Sequence, residues 1–253
     1  MNGWPSKPLD KISVAGVRRR GWRRLSERQV QPELLDQLPP DTPAARRARH
    51  DLRRINALMG NASIIARELN ARQPPGEPWQ LVDLGGGDGH FAWRVIRRLA
   101  PRDGTLVVVD RQPAISPEML ARMAQLGWCV SVVQADALEW LRSAEAPPVW
   151  MANLFLHHLH EPQLRGLFAA ARTRASLVVA CDPQRSATAL WMVRLLALVG
   201  CSGVTRHDAE LSVRAGFQDR ELVRCWGDDA GWKLDEGLAG WWSHRFVAAR
   251  SPR

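Results

Sequence analysis

Tyrosine is absent from this 253-residue chain, although it holds twelve tryptophans. Its four cysteines, Cys129, Cys181, Cys201 and Cys225, are far apart and form no C-x-x-C pair. That argues against a disulfide framework or a cysteine zinc site, and for a reducing cytoplasm. No segment reaches the ~18 apolar residues of a membrane span. The nearest run, Ala187 to Val199, is short and contains Arg194. The basic N-terminus is not followed by an apolar stretch, so no secretory signal is visible. Internal repeats and low-complexity segments are lacking as well. The combination of many tryptophans and no tyrosine has no functional reading.

What is present is an ordinary globular composition, 45% apolar and 24% charged, with charge placed unevenly. Residues 1–54 hold thirteen Lys and Arg against six acids, which is seven of the nine net positive charges. A basic arm can bind nucleic acid or an anionic membrane; it can also be a solvated leader. Three parts are expected: a disordered basic leader at 1–25, a helical cap or lid at 26–77, and a ligand-binding domain at 78–253. In the cap, a short helix is expected over 30–37. A longer one, capped by Asp41 or Thr42 with Pro43 at its start, runs to Met59 and ends at Gly60. A third covers 61–71.

The chain is organised around residues 80–90, Gln-Leu-Val-Asp-Leu-Gly-Gly-Gly-Asp-Gly-His. Apolar Leu81, Val82 and Leu84 run into Gly85, Gly86, Gly87 and Gly89, and Phe91, Val95, Ile96 and Leu99 then mark one face of a helix. A strand, a glycine loop and a helix form the opening unit of a nucleotide-binding α/β fold. The dinucleotide pattern G-x-G-x-x-G fails, because its sixth position is His90. Asp83 ends the strand and Asp88 lies in the loop, and carboxylates there suit a ligand carrying positive charge. About twenty residues on, Thr105–Asp110 reads as an apolar strand ending in an acid, placed to accept hydrogen bonds from ribose hydroxyls.

The stretch Asp83-x-Gly85-x-Gly87-x-Gly89 closely resembles the first motif of class I S-adenosylmethionine (SAM) methyltransferases. The resemblance covers about 78–250 and implies a Rossmann-like, seven-stranded, mostly parallel sheet with an antiparallel last strand and helices on both faces. It implies SAM as cofactor, with Asp83 near its amino and sulfonium end and the glycines beneath its amino acid and ribose. It places Asp136 beside the adenine amino group and Ala137 under the ring; Asp136 can also cap the next helix. Arg111 and Asn153, at the same sheet edge, are assigned to the cofactor with them. The N-terminal helices, with Val204–Ala209 and Ser212–Phe217, resemble methyltransferases that accompany type III polyketide synthases. That implies O-methylation of a phenolic or resorcinol-like acceptor.

Departures from other subfamilies narrow the choice. Asn153 is followed by Leu154 and Phe155, not by the prolines of amino-directed nucleic-acid methyltransferases. No cysteine stands there for C5 chemistry on cytosine. Asp182 is the single strand-end acid where metal-dependent enzymes place several, so no metal is expected. An RNA methyltransferase using the basic arm, C-methylation of a quinol-like ring, and a non-catalytic SAM-fold partner remain as alternatives.

A small aromatic acceptor must lose a proton, and a phenol titrates near ~10. A neutral histidine is a suitable base. His157 and His158 follow the fourth strand, at the sheet edge where ligands bind, and Asp182 can orient one of them. His207, in an expected loop at 201–217, is the other candidate base, with Asp208 beside it. His160 reads as a helix-start residue.

Overall fold

The computed structural model describes residues 25–39, 42–72, 76–100, 103–143 and 145–251. The basic leader, apart from Leu25, lies outside these residues, as do Asp41, Pro74 and Pro75.

Seven strands form one sheet: β1 (Trp79–Leu84), β2 (Gly104–Asp110), β3 (Trp128–Gln134), β4 (Val149–Asn153), β5 (Leu177–Pro183), β6 (Trp232–Ala239) and β7 (Ser243–Arg250). Their order is β3-β2-β1-β4-β5-β7-β6. The first five run parallel, and β7 lies antiparallel between β5 and β6. The strand order reverses between β1 and β4, which makes their C-terminal ends the topological switch point, where this kind of sheet binds ligands.

Alternation along the strands divides the core in two. Leu81, Val108, Met151 and Val179 face one side; Val82, Val109, Trp150 and Val178 face the other. The first face packs on α3 (Asn61–Asn70), α4 (His90–Ile96) and α5 (Pro117–Ala124) through Ile65, Val95 and Met123. The second packs on α6 (Ala137–Ser143), α7 (Glu161–Arg174) and α10 (Glu221–Trp226) through Leu141, Phe168 and Trp226. The tryptophans now have a structural reading. Trp79, Trp128, Trp150 and Trp226 are core side chains, and Trp226 packs against Phe168 and Trp232 with ring centroids 5.1 and 4.9 Å away.

The cap consists of α1 (Leu34–Gln37), α2 (Pro43–Met59) and α3. Thr42 is the cap residue of α2, its hydroxyl accepting from the Ala45 amide at 3.2 Å. Gly60, at φ +71°, ends α2 and opens α3, a left-handed conformation that glycine adopts without steric cost. Only α3 is packed fully against the sheet. The apolar face of α2, Leu52, Ile55 and Met59, lines a cavity instead.

The segment 201–217 is not the expected loop. It forms α9 (Gly203–Ala215), with Ser202 accepting from the Thr205 amide as its cap. The buried face of this helix includes Thr205 and Asp208, which serve neighbouring segments: the Thr205 hydroxyl donates to Asp51 of α2, and Asp208 accepts from the Leu34 and Leu35 amides. A polar buried face hides the apolar period on which helix recognition rests. The remaining helix, α8 (Ala187–Leu195), covers only part of the apolar run 187–199, and Gly200 beyond it sits at φ +76°.

Candidate active site

A cleft of about 460 Å³ opens at the switch point, within the size range of small-molecule sites. The glycine loop, the ends of β2 and β4, the turn at Leu156–His158 and residues of α1 and α2 line it.

The loop glycines fall into two kinds. Gly85, Gly87 and Gly89 all have positive φ, at 74°, 55° and 71°. A Cβ on Gly85 would lie 2.5 Å from the Phe155 ring, whereas one on Gly87 would meet nothing within 4 Å. Gly86 is needed for close packing, since its Cβ would collide with Val108 and lie 2.8 Å from Asp83 Oδ2. Gly87 therefore leaves open the space in which a ligand can lie against backbone.

Asp83 is 1% exposed, and its Oδ2 has no hydrogen-bond partner among the described residues. Burial, with a smaller contribution from Asp110, pushes its pKa up to about 8. An orphaned buried carboxyl on the cleft wall suits a cationic group such as the ammonium of SAM. Asp88 does not play the same part: it pairs with Arg53 of α2 at 2.6 Å.

Asp110 accepts from the Gly87 amide at 2.9 Å and the Gln112 amide at 2.7 Å, one on each oxygen. Each oxygen keeps a lone pair, so the carboxylate is held in place and can still accept from a ribose diol. Asp136 is more fully used. Its Oδ1 accepts from the Leu138 and Glu139 amides as the cap of α6, and its Oδ2 accepts twice from Arg111. Partial burial alone would raise its pKa, but the Arg111 bond and the two amides hold it below the usual carboxylate range. An adenine amino group reaches this carboxylate only by replacing Arg111, whose side chain is largely exposed. Ala137 is buried and lines the same end of the cleft.

Asn153 ends β4 inside a chain of amides. Its nitrogen donates to Asn56 Oδ1 at 2.9 Å, and its oxygen accepts from Asn61 at 2.7 Å. Ser243 donates to Asn61 in turn at 2.6 Å. Asn153 thus ties α2 and α3 to the strand end that borders the cleft. The next residue, Leu154, sits at φ +51°, a strained conformation of the sort concentrated at functional sites.

The two adjacent histidines diverge in state. His157 is 2% exposed, with Nδ1 2.8 Å from Asp182 Oδ1 and Nε2 3.4 Å from Glu33 Oε1. Burial would depress its pKa, but bonds to Asp182 and Glu33 outweigh that and raise it to about 9. His158, whose ring lies 4.1 Å from that of His157, is pushed down to about 4 by burial and by its charged neighbour. One imidazolium and one neutral imidazole therefore stand side by side at neutral pH. Their setting is acidic: burial, together with Glu33 and Asp208, raises Asp36 to about 6.

Glu33, which sequence reasoning missed, also accepts from the Ser212 hydroxyl. It precedes a four-residue helix, and nothing in its local pattern marks it. Arg28, equally unmarked, donates to the carbonyls of His157 and Leu159 and to that of Ala215, which fastens the segment before α1 onto the histidine turn. Ligand-type atoms of Glu33, His157 and His158 lie within 4.8 Å of one another. Such a trio can hold a cation, and here the positive charge facing the two carboxylates is the His157 imidazolium.

His207 does not join the site. It lies on the exposed face of α9 and is not among the residues lining the cleft. Asp208, its neighbour, is used up in capping α1. His160 caps the start of α7, as its position suggested. Among the described residues no helix is long and apolar enough to cross a membrane.

Residues 81–189 match the family model of a methyltransferase domain. No curated protein matches the chain in sequence. Among solved structures, the pyocyanin biosynthetic protein PhzM is 20% identical with a TM-score of 0.52, the match covering 83% of this chain and 60% of that one. The plantazolicin methyltransferase BpumL, in complex with a monoazolic desmethylPZN analog and SAH, is 12% identical with a TM-score of 0.58, covering 83% and 91%. An O-methyltransferase family protein from Burkholderia thailandensis is 17% identical with a TM-score of 0.50, covering 84% and 64%. The chain thus spans about 60% of the length of PhzM, and these likenesses show a common fold. The methyltransferase-domain match takes in the glycine loop, Asp83 and Asp110, which line the cleft described above.

Proposed function

We propose that the protein methylates a hydroxyl on a small phenolic acceptor of natural-product type. The observation that carries this reading is the juxtaposition, in one cleft, of a cation-seeking Asp83 and a diol-accepting Asp110 with a neutral and a protonated histidine in the turn after β4. The resemblance to polyketide-associated methyltransferases supplies the acceptor class. Four unpaired cysteines accord with action in a reducing cytoplasm.

When bound, the cofactor supplies a methyl group on a sulfonium centre. Asp83, Asp110, Ala137 and the Gly87 backbone are the residues that would hold it. His158 takes the acceptor proton as the oxygen gains its methyl group, and passes that proton to solvent. His157 stays protonated between Asp182 and Glu33, and its charge stabilises the developing phenolate. Asp182 is a positioning residue that acts through His157.

Steady-state kinetics on phenolic acceptors tests this. His158→Ala is expected to lower kcat by about 10²–10⁴-fold, the range for loss of a general base, without changing affinity for S-adenosylhomocysteine. Undiminished turnover would remove His158 from the mechanism. A second reading, methylation of nucleic acid, has Arg49 and Arg94 on the cleft wall in its favour. It requires nucleic-acid affinity that falls steeply with salt.

A further inference from the structure

Behind the histidine end of the cleft lies a second cavity of about 90 Å³ between α2, α8 and α9. Its walls are mostly aliphatic, including Ile55 and Met59 of α2, Met192 and Val193 of α8, and Ala209 and Val213 of α9. Apart from the Trp242 indole, four polar residues reach it, and each already has a partner. Glu33 and Ser212 bond to each other, Thr205 donates to Asp51, and Asp208 accepts two backbone amides. These four polar side chains are committed to their partners, so an apolar substituent would lose little by entering.

The two cavities share Glu33, Leu35, Leu52, Leu154 and Ser212 as a common boundary. That boundary includes the residue bonded to His157 and the strained residue that follows β4. Whatever occupies the second cavity therefore abuts the acceptor hydroxyl rather than the nucleoside end. Size restricts the occupant further. The space is smaller than the ~150 Å³ cavity known to admit benzene, so a slim chain of a few carbons fits and a second ring does not.

We infer that this cavity is an acceptor subsite that receives a short alkyl substituent of the phenolic ring, and so selects alkylated phenols. This rests on the reading of the histidine end as the acceptor site. The cap helix α2 is then part of the specificity surface, because its apolar face bounds the subsite.

The test is calorimetric titration of phenol, 4-ethylphenol, 4-propylphenol and 4-butylphenol into the full chain, with S-adenosylhomocysteine titrated separately into the same preparations. Affinity is expected to rise about fourfold per added methylene until the cavity is full. Ala209→Phe, which fills the cavity from α9, is expected to flatten the series and leave the S-adenosylhomocysteine affinity unchanged. Ala189→Leu, from α8, is the alternative filling variant should the first fail to fold. A wild-type series without chain-length dependence, or a rise preserved in the filled variant, would each overturn the inference. Loss of S-adenosylhomocysteine binding in wild type would instead count against the methyl-transfer reading, while the alkyl series still judges the cavity.

Discussion

Asp182 Oδ1 accepts twice from the same residue, from His157 Nδ1 at 2.8 Å and from the His157 backbone amide at 3.1 Å. This double contact fixes both the turn after β4 and the ring orientation. It also holds a proton on Nδ1, because a ring nitrogen bonded to a carboxylate carries its proton there. Asp182→Asn is expected to cost about 3–5 kcal/mol of stability, as for a broken buried ion pair, measured by denaturant unfolding. It should lower kcat while leaving affinity for S-adenosylhomocysteine in place.

The same contact gives stability a pH dependence with a defined sign. The His157 pKa is about 9 in the fold, against ~6.5 unfolded. Its contribution is fully present below the unfolded value and is lost as pH rises through the folded one. Stability should therefore decline between about pH 6.5 and 9, and Glu33→Gln or Asp182→Asn should flatten that decline. A thermal unfolding series across this window checks it. An equal decline in all three proteins would contradict the assignment.

Asp83 has the opposite chemistry and also loses stability with rising pH. Its folded pKa of about 8 lies above the ~3.9 of an unfolded aspartate. The native state thus keeps a proton that the unfolded state has released, and stability falls as pH climbs from about 4 to 8. Asp83→Asn is expected to be more stable than wild type at pH 8, by about 1–3 kcal/mol, the cost of an unsatisfied buried group. It should bind SAM much more weakly. A variant less stable than wild type at pH 8 would contradict the protonation state assigned here.

The histidine pair sets the pH profile of turnover. His158 must be neutral and His157 charged, with pKa values of about 4 and about 9. The rate should rise as pH passes the lower value, stay level through neutrality, and fall as His157 loses its proton. A rate that keeps rising through pH 10 would mean that hydroxide, not His158, removes the proton.

Much of this was legible in the sequence, and the reason differs from place to place. Residues 80–90 are explicit because strand, glycine loop and helix are contiguous, and Asp110 follows at a spacing set by one βα unit. His157, His158 and Asp182 could be nominated because strand ends carry ligands in this sheet. What stayed hidden depends on contacts distant in sequence. Glu33 reaches His157 across 124 positions and Asn61 reaches Asn153 across 92. The α9 helix was concealed because it buries Thr205 and Asp208 against other segments, and His207 lost its proposed role when the loop carrying it proved helical.

The loop itself offers the most direct measurement: calorimetric titration of S-adenosylhomocysteine into wild type and Gly87→Arg, with NADH and NADPH as controls. A Cβ at Gly87 meets nothing within 4 Å, so the arginine projects into the cleft rather than into the core. Its positive φ costs roughly 1–2 kcal/mol, small enough to leave the fold intact. Micromolar binding in wild type, lost in the variant, with neither nicotinamide binding, is the expected result. Binding that survives Gly87→Arg, or a preference for a nicotinamide, would contradict the placement of the cofactor and the roles of Asp83 and Asp110 with it.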